Sequence, residues 1–155
     1  INLRNPHFHR TNIEYLLAKS DILKMNIAEL ELITGWFSEF KTTEERIQLI
    51  QDRFQIPTII VTKGGDGAIV NSNGSIYRHN GFKVTVADTI GSGDSFLAGF
   101  LHQLIKGETI EKTLAFASAI GAFIATKSGA CPEYEPKEIV NFIDSTVLSQ
   151  TNIFS

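Results

Sequence analysis

The run Thr58-Ile59-Ile60-Val61-Thr62 constrains the fold more than any other stretch of this chain. It follows Pro57, is almost unbroken in apolar β-branched residues, and leads into Lys63-Gly64-Gly65-Asp66-Gly67. A strand with one wet face alternates polar and apolar residues, so a run with no polar face must be covered on both sides. The surrounding chain supplies that cover. Helical patterns occupy residues 11–19, 28–34 and 43–54 before it, and residues 94–106, 110–127 and 136–148 after it. Short β-type runs at residues 21–26, 68–70, 75–79 and 83–86 alternate with them, and Asn73-Gly74 marks a hairpin turn. The expected class is α/β with a largely parallel sheet.

Composition narrows the function classes. Of 155 residues 43% are apolar, which suits the core of one compact domain. Seventeen acidic against 14 basic residues, with no basic block, recruit neither a nucleic-acid backbone nor an anionic membrane surface. No apolar run reaches the roughly 18 residues of a spanning helix. Cys131 is the single cysteine, so an intrachain disulfide or a multi-thiolate metal site is excluded, which fits a reducing cytoplasm. Met25 is the single methionine, so Ile1 is not a translation start, and sequence upstream of Ile1 is expected.

Four stretches carry possible chemistry. Asp88-Thr89-Ile90-Gly91-Ser92-Gly93-Asp94 joins a β-type run to a strongly amphipathic helix. Two glycines one residue apart let the backbone turn its N–H groups toward one spot, and the open N–H groups of the helix start add to it. Such a spot attracts phosphate oxygens. An acidic side chain there can take a proton from an attacking hydroxyl; the plainer reading is a glycine-rich turn with Asp94 as a helix-start residue. Thr62-Lys63-Gly64-Gly65-Asp66-Gly67 ends the buried strand, where open α/β sheets bind ligands. It reads equally as a flexible hairpin entry. It is neither a Walker A loop nor a Gly-x-Gly-x-x-Gly fingerprint. The helix around Ala117, Ser118, Ala119, Gly121 and Ala122 has a face of small residues, suited to a neighbouring helix or to an adenine ring. Asn26 and Glu29, three positions apart after a strand end, either face one ligand or cap a helix. His7 and His9 read as a solvated loop, His79 and His102 carry no readable partner, and Trp36 reads as a packing residue.

Taken in order, these segments resemble the PfkB or ribokinase family of carbohydrate kinases. Residues 88–94 resemble its Asp-Thr-x-Gly-x-Gly-Asp signature, Asn26-Ile27-Ala28-Glu29 its Asn-x-x-Glu motif, residues 62–67 its nucleotide loop, and Thr126-Lys127-Ser128-Gly129-Ala130 its Thr-Arg-x-Gly-Ala. The opening Asn2-Leu3-Arg4-Asn5-Pro6 is similar to a stretch of fructokinase-like members. The resemblance implies a ribokinase-like three-layer sandwich with a mainly parallel sheet, incomplete at its N-terminal side. Residues 1–155 would be the C-terminal nucleotide-binding and catalytic part, with the sugar-binding and lid part absent and an exposed sheet edge in its place.

The implied activity is ATP-dependent phosphorylation of a sugar hydroxyl, with fructose the expected substrate; ribose, ketodeoxygluconate or a nucleoside are the alternatives within the family. The implied base is Asp94, with N–H groups around Gly91, Ser92 and Gly93 forming an anion hole. Thr62, Gly64 and Gly67 would border the nucleotide, with Ser118 near the adenine. Asn26 and Glu29 would act on the phosphates and on Mg²⁺ through its waters, and Asn2 and Arg4 would approach the substrate. Asp88, with backbone oxygens of Ile90, Ile124, Lys127 and Gly129, would hold a monovalent cation, K⁺. The expected partners are the sugar and ATP, with no nucleic acid and no membrane, and either a second copy or a missing N-terminal half. The rival from another class is a fragment that binds nucleotide without phosphorylating anything.

Overall fold

The computed structural model describes residue 3, residues 7–129 and residues 132–151, with side chains as far as residue 145. Two compact units share the chain. One takes Ile1–Gly64 and Ala68–Arg78, and the other Gly65–Gly67 and His79–Ser155.

The first unit runs α1 (Arg10–Leu17), β1 (Ile22–Asn26), α2 (Ile27–Gly35), α3 (Thr43–Phe54), β2 (Thr58–Thr62), β3 (Ala68–Ser72) and β4 (Ser75–His79), whose last residue opens the second unit. The strands form one sheet in the order β1-β2-β3-β4. β1 and β2 are parallel, with Leu23 opposite Ile59 and Asn26 opposite Thr62. β2 and β3 are antiparallel, with Ile60 opposite Val70 and Val61 opposite Ile69. The sheet is therefore mixed where a mainly parallel one was expected. Connection length decides this: α2 and α3 provide the long crossover a parallel pair needs, whereas residues 63–67 can join only antiparallel neighbours.

Burial follows that register. On one face Leu23, Met25, Ile59, Val61 and Ile69 meet Ile13 and Leu17 of α1, Leu30 and Ile33 of α2, and Ile47 and Ile50 of α3. On the other face Ile60 and Val70 are fully buried as well. The first four residues of β2 are all buried, as its sequence required. Trp36 packs beside Phe8 and Phe37 at the edge of this core. Thr42 and Glu45 close a capping box at the start of α3, which fixes where that helix begins.

A pair of amides, the buried Asn71 and the half-buried Gln51, ties α3 to the hairpin. Asn71 donates from Nδ2 to Gln51 Oε1 (2.9 Å) and accepts from Gln51 Nε2 (3.2 Å). The same Asn71 Oδ1 accepts the Gly74 N–H at 2.9 Å, which holds the turn between β3 and β4.

The second unit holds α4 (Ser92–Ile105), α5 (Ile110–Ala125) and α6 (Pro136–Thr151). Thr109 caps α5, with its hydroxyl accepting the Lys112 N–H. Residues 83–86, expected as a strand, form none. A β-type run becomes a strand only when a neighbour pairs with its peptides. The nearest such bond is made by the Ala87 N–H, which donates to the Ala125 carbonyl (2.8 Å) at the end of a helix. Val86 stays more than half exposed.

Replacing the buried Asn71 with alanine removes its two hydrogen bonds with the half-buried Gln51 amide and the acceptor of the Gly74 N–H. Urea unfolding of Asn71→Ala should show a loss of about 1–3 kcal/mol with an unchanged m value.

Candidate active site

In the first unit the parallel register puts the ends of β1 and β2 side by side. Asn26 pairs with Thr62, and the Thr62 hydroxyl donates to the Met25 carbonyl at 3.4 Å. Asn26 is also the N-cap of α2. Its Oδ1 accepts the Glu29 N–H (2.8 Å), and Glu29 Oε2 accepts the Asn26 N–H (2.8 Å). The buried Glu29 carboxylate has a further partner, since Oε1 accepts the Leu3 N–H at 2.9 Å. The capping role read from the Asn26–Glu29 spacing is therefore real. Each Glu29 oxygen accepts one N–H and keeps acceptor capacity for another donor.

In the second unit the start of α4 has no side-chain cap. Gly91 is its N-cap at φ +82°, a left-handed conformation that a side chain disfavours. The Ser92 N–H turns back to the Thr89 carbonyl (3.3 Å), so the N–H groups of Gly93 and Asp94 are the ones a first helical turn leaves open. The Ser92 hydroxyl points elsewhere, donating to the Gly121 carbonyl at 2.9 Å. Asp94 is exposed, and among the described residues none donates to its carboxylate.

Asp88 acts as a staple. Its Oδ1 accepts the Ile90 N–H (3.0 Å) and its Oδ2 the Gly129 N–H (3.3 Å), while its own N–H donates to the Ala125 carbonyl. These backbone donors, Ile90 first, hold the Asp88 carboxyl below the ordinary aspartate range. The Lys127 N–H donates to the Ile124 carbonyl at 3.0 Å, and its ammonium pairs with Glu138 of α6 at 2.7 Å. Asp88, Ile90 and Gly129 are thus directly linked; Ile124 lies in the last turn of α5, and Lys127 on the turn after it that carries Gly129.

The small-residue face of α5 meets α4. A side chain on Gly99 would sit 3.5 Å from the Ala117 Cα, and one on Gly121 would sit 3.3 Å from the Ser92 carbonyl oxygen. Ser118 is buried on the same helix, and among the described residues its hydroxyl has no partner. Gly64 and Gly67 both lie in the left-handed region beside a single 3₁₀ turn at Gly64–Asp66. Asn2, Arg4 and Ala130 fall outside the described residues.

Two features escaped the sequence. An apolar cleft of about 310 Å³ opens among Phe82, Gln103, Phe116, Ala119 and Ile143, gathered from α4, α5, α6 and the preceding loop. Its residues are too far apart in the chain to be read as a group. His79 also has a partner, because its Nδ1 accepts the Gly81 N–H at 3.0 Å. A histidine two residues before a glycine was the only available signal.

The sequence model described as pfkB family carbohydrate kinase matches residues 1–137. The 2-dehydro-3-deoxygalactonokinase of Haloferax volcanii is 31% identical over 137 residues, which is 88% of this chain and 42% of that protein. A putative ribokinase II from E. coli, solved with ATP and Mg²⁺, superposes with a TM-score of 0.76 at 25% identity, over 88% of this chain and 43% of its own. A double mutant of the fructokinase from Vibrio cholerae O395, solved with fructose, ADP and potassium, gives 0.75 at 27% identity, over 86% and 44%. The chain thus spans well under half the length of these relatives.

Because its folded-state carboxyl is depressed, Asp88 should staple the two loops fully at and above the ordinary aspartate value and release them as pH falls through its own lower one. Carbon-detected NMR titration of Asp88, with the Gly129 amide shift followed alongside, should show both signals moving together.

Proposed function

This chain belongs to the pfkB family of carbohydrate kinases, and from that premise we propose that it carries the nucleotide-binding and base-bearing part of an ATP-dependent kinase acting on a sugar hydroxyl, with fructose as the sugar. The observation that carries the reading is the exposed, unengaged Asp94 carboxylate on the open first turn of α4. A carboxylate so placed takes the proton from the attacking hydroxyl. The backbone N–H groups around Gly91, Ser92 and Gly93 meet the charge that develops on the transferring phosphoryl group. Phosphoryl transfer asks a protein mainly for positioning and charge stabilisation, so this small set accounts for much of the chemistry.

Thr62, Gly64 and Gly67 border the nucleotide, and the unpartnered Ser118 hydroxyl serves the adenine. Asn26 and Glu29 supply the hard oxygen donors that suit magnesium. Both Glu29 oxygens already accept an N–H, so this carboxylate would serve the ion through bound water. Magnesium, when bound, neutralises phosphate charge. The Asp88 carboxylate and the carbonyls of Ile90, Ile124, Lys127 and Gly129 form a donor set that suits K⁺. Fructose as substrate is supported by the fructose-bound relative and by the opening Asn2–Arg4 segment. The single cysteine supports a cytoplasmic location. A second reading, nucleotide binding without transfer, is favoured by one fact: the chain spans 42% of the Haloferax kinase.

ADP release with Mg-ATP, K⁺ and fructose, beside a no-sugar blank, separates the two. Fructose-dependent turnover is expected, falling about 10²–10⁴-fold in Asp94→Asn while the nucleotide-induced rise in Tm persists. An equally active Asp94→Asn removes Asp94 as base. A Tm shift with no sugar-dependent ADP establishes the binding reading. Turnover should also be faster in K⁺ than in Na⁺ or choline salts, and equal rates in all three would remove the cation site.

A further inference from the structure

The Gly65–Gly67 turn is held by a backbone wall that the reading above does not use. Gly67 lies at φ +84°, and a side chain there would collide with the His79 carbonyl oxygen and the Gly81 nitrogen. Gly81 lies at φ +75°, and its Cβ would fall 2.7 Å from the Gly65 carbonyl oxygen and 2.9 Å from the Gly67 nitrogen. The two turns therefore touch backbone to backbone, and neither can change shape without displacing the other.

One side chain organises that wall. His79 Nδ1 accepts the Gly81 N–H at 3.0 Å, the same i to i+2 reach by which an asparagine or aspartate side chain closes a turn. The ring packs against Phe82 at 4.8 Å between centroids, and Phe82 in turn lies 6.4 Å from Phe142 of α6. Nδ1 accepts only when it carries no proton, so the bond needs the neutral ring protonated at Nε2. Burial, which pushes the His79 imidazole below its ordinary value, favours that form.

We propose that His79 is a positioning residue for the nucleotide loop: by accepting the Gly81 N–H it fixes residues 79–81 as the wall that sets the shape of the Gly65–Gly67 turn. The proposal rests on the reading that Gly67 borders the nucleotide. His79 itself touches no substrate in this account.

Three variants separate the hydrogen bond from packing. His79→Ala loses both the acceptor and the ring, His79→Phe keeps a ring against Phe82 without the acceptor, and His79→Asn restores an acceptor at the same reach without the ring. In nucleotide-free protein, the Gly65, Gly67 and Gly81 amide resonances should move in the Ala and Phe variants and return toward wild type in His79→Asn. Calorimetric titration with Mg-ATP should show affinity weakened about three- to tenfold in the Ala and Phe variants, the scale of one hydrogen bond, and recovered in His79→Asn. Unmoved glycine amides, or a His79→Phe variant indistinguishable from wild type, would overturn the positioning role. Amides that move as expected in a protein that binds no Mg-ATP would support the wall while overturning the nucleotide reading beneath it.

Discussion

The first unit depends on the pairing of β2 with strands on both sides. Its first four residues are buried, so none of its peptides can be left to water, and β1 and β3 supply the partners. The parallel pairing with β1 requires a crossover, which α2 and α3 provide, and their apolar faces close over Leu23, Met25, Ile59 and Val61. The register of that pairing also places Asn26 beside Thr62. The two strand ends that carry candidate nucleotide residues thus come together as a consequence of satisfying one buried strand.

The second unit is organised by close backbone approach. Gly99 and Gly121 make room for α4 and α5 to pack closely, Gly99 against Ile120 and Ala117 and Gly121 against Ser92 and Phe96, and the Ser92 hydroxyl pins the start of α4 to the Gly121 carbonyl. With Ser92 so occupied, the Gly93 and Asp94 end of the turn is left open. Asp88 ties the segment before α4 to the turn after α5 through two backbone N–H groups. Much of the charged and polar equipment here therefore does structural work first, and its chemistry depends on the shapes those bonds hold. The same holds for Glu29, whose capping box fixes its side chain at the start of α2.

Helix positions and the hairpin were legible because their signals are local. Thr42 and Glu45 announce α3, Thr109 announces α5, and Asn73-Gly74 announces the turn between β3 and β4. The expected strand at residues 83–86 failed for the complementary reason: its alternation is real, but a strand needs a partner, and partnership is not a local property. The antiparallel pairing of β2 with β3 rests on a connection length that was readable, since residues 63–67 are too few for a crossover. The site motifs were legible as spacing, but not the use each residue makes of its hydrogen bonds, such as the Ser92 hydroxyl turned into α5 or the Leu3 N–H on Glu29.

The sequence by itself determined the family, the buried central strand and the helix positions to within a turn, because these follow from residue type and spacing along the chain. Only the tertiary structure decided that, among the described residues, none donates to Asp94 while Asp88 is committed to two loops, and that His79 closes a turn against the glycine loop. Those outcomes depend on which backbone donors arrive at each side chain from distant parts of the chain, and such meetings are set by packing.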